Sequence, residues 1–405
     1  MRKLSLSSVF KVPSISVFVG EHKHIAYLCK SVLITLLSLL LAHVVKYDLE
    51  NITGFASSDS MADFEMSDIY NAMSDHRHVS YASPYVSVVS VDQCTRQEVL
   101  EVLELIAEYS PKAIGLDIFF RTAADDSTYV LQTLGSIPQL VLPCMLEEDE
   151  DGVYHRQAYS FVESSLSANY GYVNLNASTV KDVVRDFSPW RVLQGGDTLK
   201  HIATAMARIA APERYAQLME RHNPLEIIKF SSVDIPIISA QEVFYGAEED
   251  YLTRYLTDRA VFVGDIENIN DMYSTPLKGM IPGIMIHAYS LNTVLTAAYT
   301  NVTSDWLNWL LAIVLCVLFL YAHLLIKERW SYVGNLLMRM LQIMLMFGMV
   351  IIGSYWYNKH LQYIDFSLIV LTIGFSALAC DVYDGIYALC VQIKQYIQKK
   401  KVKGT

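Results

Sequence analysis

The chain has 405 residues, a hydrophobic fraction of 53% and a formal charge of −11, enough for one sizeable domain plus membrane segments. The charge is uneven: residues 46–305 carry 37 Asp/Glu against 17 Lys/Arg, and the remainder carries 5 against 14. An acidic block between basic, apolar flanks suggests two compartments, and its sign argues against a nucleic-acid partner. Of six cysteines, only Cys94 and Cys144 belong to the block. Two are too few for a disulfide framework, and no Cys/His spacing suggests zinc. One bridge or two buried thiols both fit.

Ile25–Val45 is the first apolar run. It is long enough to cross about 30 Å of hydrocarbon. No small-x-small cleavage site follows it, so it reads as an uncleaved anchor rather than a signal peptide. Residues 46–80 are polar and read as a lead-in with a short helix. YVSVVSVD (85–92) and KAIGLDIFF (112–120) are buried-strand patterns, and QLVLPCML (139–146) is a third. Between them, RQEVLEVLELIAEYS (96–110) and DSTYVLQTLGS (126–136) have the spacing of amphipathic helices. Strand and helix alternating in this way specify a parallel sheet covered by helices. EEDEDG (147–152) is a solvated turn without the alternating ligand spacing of a calcium loop.

GYVNLN (171–176) and VVRDFSPWRVL (183–193) suggest antiparallel strands joined by a turn. A helix is expected over 197–212, ended by proline. EIIKFS (226–231) and AVFVGD (260–265) read as strands, SAQEVFYG (239–246) as a short helix. PGIMIHAYSLNTVLTA (282–297) is the last helix, with Pro282 suited to its first turn. The expected fold is a three-layer α/β extracytoplasmic domain with a mixed, mostly parallel sheet over 46–305. Four transmembrane helices accompany it, one before and three after.

The later spans are 306–326, 336–356 and 364–383, joined by the short linkers KERWSYVGN and YNKHLQYID. They are expected to form a compact hairpin bundle. Arg2, Lys3, Lys11 and Lys23 precede the first span, Lys327 and Arg329 follow the second, and five lysines follow the fourth. Four spans bring all three clusters to one side, which the positive-inside rule makes the cytoplasm. Residues 1–24 and the basic tail 384–405 are then cytoplasmic, and the block lies outside. Arg339, Asp381 and Asp384 lie at similar depth. They are candidates for a switchable charge pair, against the alternatives of a static packing bridge or plain snorkelling at the interface.

Open α/β sheets bind ligands at the carboxyl ends of their parallel strands. Asp92, Asp117 and Asp265 end such strands, and Asp271 follows the last. They are candidates for a polar ligand crevice, against the alternative of capping helices and turns. Arg185 is a candidate for an anion or a carboxylate, and His287 faces either the crevice or the sheet.

KAIGLDIFF, GYVNLN with VVRDF, SAQEVFYG, AVFVGD and DMYSTPLKGMIPGIMIHAYSLNTVL (271–295) together resemble the CHASE2 family of bacterial extracytoplasmic sensor domains. The order of one span, a domain and three spans also fits the family. STVKD (178–182) departs from it, standing where the family usually has an acidic, glycine-containing turn. The resemblance implies sensing and signal transfer, and it names no ligand. Members often continue into a cyclase or kinase domain, for which the basic helix-patterned tail leaves no room.

GxSxG, HExxH, P-loop and GxGxxG patterns are absent, and HRH (76–78) is isolated. The expectation is no enzyme, cofactor or metal. One hypothesis is a sensor that relays ligand or partner binding to a separate membrane or cytoplasmic protein. The other is a scaffold subunit of an envelope complex. Lipid contacts and homo-oligomers fit both.

Overall fold

The computed structural model describes residues 23–48, 65–75, 81–177, 183–230, 233–246 and 249–403. The STVKD turn, HRH (76–78) and the leader bases Arg2, Lys3 and Lys11 lie outside these residues. The chain divides into two compact units. One holds Asp63–Asn301 with Tyr357–Gln362, and the other holds the apolar helices.

In the first unit, helix α1 (Met66–Asp75) leads to strand β1 (Val86–Ser90), whose residues are all buried. Helix α2 (Arg96–Glu108) starts on a capping box in which Thr95 and Glu98 satisfy each other's amides. Strand β2 (Ala113–Asp117), helix α3 (Ser127–Ser136) and strand β3 (Leu140–Glu148) follow. Strand β4 (Tyr154–Gln157) returns antiparallel along the end of β3, across the acidic turn. Helix α4 (Phe161–Ser165) then delivers strand β5 (Asn169–Tyr172), which runs parallel to β3.

That pairing corrects the expectation that 171–176 and 183–193 form an antiparallel pair. β5 is taken up by the main sheet, Asp186–Phe187 pairs with Glu226–Ile227, and β6 (Trp190–Val192) pairs with β7 (Thr198–Lys200). The helix expected over 197–212 is likewise divided. Its start is β7, helix α5 spans Ile202–Ala210, and helix α6 spans Pro212–Glu220 with its proline in the first turn.

Strand β8 (Ile237–Ser239) and helix α7 (Ala240–Tyr245) share a second capping box, Ser239 with Glu242. Helix α8 (Glu249–Leu256) leads to strand β9 (Ala260–Gly264). The hairpin β10 (Met272–Thr275) and β11 (Gly279–Pro282) precedes helix α9 (Gly283–Thr296). The sheet is seven-stranded, ordered β8-β1-β9-β2-β3-β4 with β5 also on β3, and parallel except for β4.

Alternation along the strands divides the core. Val88 and Phe262 face Ile202, Met206, Leu218 and Leu291 of α5, α6 and α9. Val89, Val261 and Val263 face Leu103, Leu134, Val243 and Leu252 of α2, α3, α7 and α8. This is the three-layer mixed α/β fold expected. Cys94 and Cys144 are free thiols.

Among the described residues, four helical segments are long and apolar enough to cross a membrane: Lys23–Lys46, Asp305–Trp330, Val333–His360 and Ser367–Gln398; all lie in the second unit except Tyr357–His360, the end of the third. The backbone is helical on both sides of residues 331–332 between Asp305 and His360, yet the chain reverses. A Cβ on Gly334 would lie 2.9 Å from Ile326 O, and His323 Nε2 lies 3.3 Å from Asn335 Oδ1. In a straight helix, residues eight apart are about 12 Å apart. The second and third spans are therefore an antiparallel hairpin.

The first and fourth spans are antiparallel too, tied at one end by Lys30–Asp384 (2.7 Å) and at the other by Lys46 to Asp365 and Ser367. Lys23 with Glu328 and Lys327 with Asp384 (4.0 Å) bring the end of the second span to the same side as Lys30.

Candidate functional site

The register decides what meets at the carboxyl end of the sheet. Ser90, Gly264 and Asp117 stand in one row across β1, β9 and β2. The four predicted aspartates converge there as two pairs. Asp92 accepts from the Ile266 amide (2.8 Å) and the Glu267 amide (3.0 Å), and Asp265 accepts from the Glu267 amide (2.9 Å). Burial raises the Asp92 carboxyl, but hydrogen bonds from Asp265, Ser90 and these two amides outweigh it and hold it low. Asp265 is pushed up by its hydrogen bond to Asp92 and by burial. The two carboxyls are thus shifted in opposite directions, Asp92 down and Asp265 up, across the turn after β9.

Asp271 meets Asp117. Pro282 supplies no side-chain cap to α9, and Asp271 does so from a distance, accepting from the Gly283 amide and from Tyr273. A Cβ on Gly283 would sit 2.8 Å from an Asp271 carboxylate oxygen, so a larger residue there would push this carboxylate aside. Burial leads in raising the Asp271 carboxyl. Burial and then the Asp271 charge push Asp117 up to about 7.

Because the folded value of Asp117 lies above the unfolded one, its favourable contribution is full below the ordinary value of 3.8 and is lost as pH rises through about 7. Asp117→Asn cannot ionise there. It should gain on the natural chain across that window and keep an advantage of about 2 kcal/mol near pH 8, after a discount for partial exposure. Urea unfolding near pH 5 and pH 8 reads the difference, and an unchanged gap between the two chains would refute the raised carboxyl.

A protein-family model described as the CHASE2 domain matches residues 77–322. The chain belongs to the CHASE2 family. CHASE2 is a sensory extracellular domain, and with four apolar helices around it this is a multi-pass membrane protein carrying an extracytoplasmic domain. No curated protein and no solved structure matches the chain.

The other candidates lie apart from the acid row of the CHASE2 domain. Arg185, 7% exposed, forks onto Asp68 of α1 at 2.9 and 2.8 Å, with Glu65 at 3.9 Å. It ties the lead-in helix to the domain.

His287 is buried among sheet residues, its ring 4.9 Å from His201 and stacked on Phe262 at 6.4 Å. His201 caps α5 by accepting from the Ala203 amide through Nδ1 (3.3 Å), which leaves its proton on Nε2. Burial drives both imidazoles neutral, His287 down to about 3 and His201 well below its ordinary value.

In the membrane, Arg339 donates to Gln342 (3.1 Å) on its own helix. Asp384 meets Lys30, because the fourth span packs on the first, and Asp381 is exposed. The expected Arg339–aspartate bridge is replaced by these contacts.

Two features of the CHASE2 domain were not anticipated. Tyr357–Gln362, which joins the third span to the fourth, belongs to this domain's compact unit. Lys229 stands over the Tyr357 ring at 4.7 Å and donates to Asn358 Oδ1 (3.3 Å), while Asn358 donates to Tyr70 O (3.2 Å). Burial pulls the Lys229 ammonium down to about 8.

The second feature is Arg221. It pairs with buried Glu226 at 2.7 Å and donates to Asn301 Oδ1 (3.1 Å) and Thr300 O (3.4 Å), and the Asn301 amide donates to Leu361 O (2.8 Å). A lone lysine inside EIIKFS was the available sequence signal for the first feature. Among the described residues, no group of three or more His, Cys, Asp or Glu is placed to hold a metal ion.

Proposed function

We propose that this CHASE2 protein is a sensor of a bacterial inner membrane, with its domain in the periplasm and both chain ends in the cytoplasm. It passes the binding of a ligand or partner to a separate protein, by binding and relay rather than by catalysis. The observation that carries this reading is that the domain's own compact unit takes in Tyr357–Gln362 and ends at Asn301. Those segments lead directly into the second, third and fourth spans. Lys229, Asn358, Arg221 and the Asn301–Leu361 hydrogen bond hold them inside the domain.

A ligand favouring one arrangement of that network over another would bias the helices that continue from it. The last helix supports a cytoplasmic outlet. It runs from Ser367 to Lys403, 37 residues or about 55 Å, against about 30 Å of hydrocarbon. Its far portion exposes Ile386, Leu389, Ile393 and Ile397 beside lysines, a surface suited to a partner.

Inserting a short Gly/Ser stretch between Thr303 and Ser304 tests the relay, because a flexible linker does not pass on rigid-body motion. The partner is first identified by pull-down of intact membrane complexes. The insertion should leave the melting of the domain unchanged and abolish the partner's response. A partner that responds as before would favour the scaffold reading, in which the spans only anchor the domain.

A further inference from the structure

The amino-terminal end of the sheet, opposite the acid row, carries a groove of about 460 Å³. Tyr85 stands before β1, Lys112 before β2 and Asp258 before β9, and the junction of α5 with α6 closes the groove beside Leu295 of α9. The volume falls within the range of about 300–1,000 Å³ typical of small-molecule sites. It is too small for a folded partner.

The charges along it are the informative part. Lys112 and Arg214 face it together with Glu213 and Asp258. Among the described residues, the side chains of Lys112, Glu213 and Asp258 make no ion pair or hydrogen bond, and Arg214 only reaches Gln217 (2.9 Å) on its own helix. Groups of both signs that share one groove without neutralising each other complement a ligand carrying both signs. The start of α6 adds to the positive side, since Ala211 offers no side-chain cap to its amides. Tyr85 and Leu295 supply an apolar wall for a short side chain.

We propose that this groove is the ligand site of the CHASE2 domain and takes a free amino acid or a short peptide. Its carboxylate lies toward Lys112 and Arg214, and its ammonium toward Asp258 and Glu213. The site is connected to the chain exit. Arg214 O accepts from the Tyr299 hydroxyl (3.5 Å), and the Tyr299 ring lies 4.8 Å beneath the Arg221 guanidinium that holds Thr300 and Asn301. Seating a carboxylate on Arg214 therefore loads the residues just before the second span. The inference rests on the sensor reading for its purpose, but its test reads binding alone.

The test uses the full chain in lipid nanodiscs. The probes are a mixture of the common amino acids and L-alanyl-L-alanine, with acetate and methylammonium as single-charge controls. Calorimetry and hydrogen exchange should show binding by a zwitterionic probe, with slowed exchange over 208–215 and 256–261, and none by the controls at the same concentration. Arg214→Met, at a half-buried position, and Lys112→Met, at an exposed one, should each weaken binding about tenfold or more, the worth of a charge-assisted hydrogen bond. The proposal is overturned if no zwitterionic probe protects these segments, if both variants bind as the natural chain does, or if protection appears at Asp117 and Asp271 instead. Binding at the groove together with an unaltered partner response after the Thr303–Ser304 insertion would sink the relay and leave the site standing.

Discussion

Replacing Gly171 with alanine is expected to destabilise the CHASE2 domain by about 3 kcal/mol, at the upper end of overpacking costs. Local preference alone would give the opposite sign, because alanine is less costly than glycine to fix in a strand. Packing decides the matter. Gly171 sits opposite Pro143 in the parallel pair of β5 with β3, and α5 starts directly over it. A Cβ there would lie 2.5 Å from the Ile202 Cα and 2.9 Å from its amide nitrogen. Both are backbone atoms, so no rotamer change relieves the clash, and the helix must lift.

Ile202, Ala203 and Met206 on that helix are fully buried, and lifting them opens a void in a close-packed core. His201, which caps the helix and packs on His287, moves with it. Urea unfolding of the whole chain should show a lower midpoint with an unchanged slope. A variant as stable as the natural chain would mean that α5 does not pack at this distance.

The elements that could be read from the sequence are those whose local pattern already contains their tertiary setting. VSVV, IGL and VFV are continuous apolar runs because both faces of a central parallel strand are covered. SAQE announces its helix through a capping box. Where the partner decides, the pattern is silent. GYVNLN is a strand in either pairing, and only the crossover through α4 delivers it to β3. Pro212 looks like the end of a helix and is the first turn of the next, because proline suits both positions.

The same boundary runs through the site. Aspartates at strand ends mark the carboxyl edge, whereas their grouping as Asp92–Asp265 and Asp117–Asp271 follows from register. The bond from Arg185 to Asp68 spans 117 residues, and no periodicity encodes it. The groove at the amino edge is assembled from loops before three strands and the ends of three helices, none of which is distinctive alone.

Arg221→Met is expected to cost about 3 kcal/mol, because it leaves the carboxylate of Glu226, 1% exposed, without its cation. Asn223 still donates to Glu226 at 3.1 Å, but one amide does not compensate a buried charge. The double variant Arg221→Met with Glu226→Leu removes the stranded charge and should recover most of the loss, since a buried ion pair and a well-packed apolar pair of similar volume are often near equal in stability. The two variants then separate stability from relay. Both lose the hydrogen bonds to Thr300 O and Asn301 Oδ1 and the stacking on Tyr299. If Arg221 holds the chain exit for signalling, the double variant unfolds near the natural midpoint, yet amide exchange over 299–301 stays fast and the partner's response stays lost. A double variant that recovers response together with stability would reduce Arg221 to a structural ion pair and move the relay elsewhere, with the Lys229–Asn358 contact and the Asn301–Leu361 hydrogen bond still holding the turn before the fourth span.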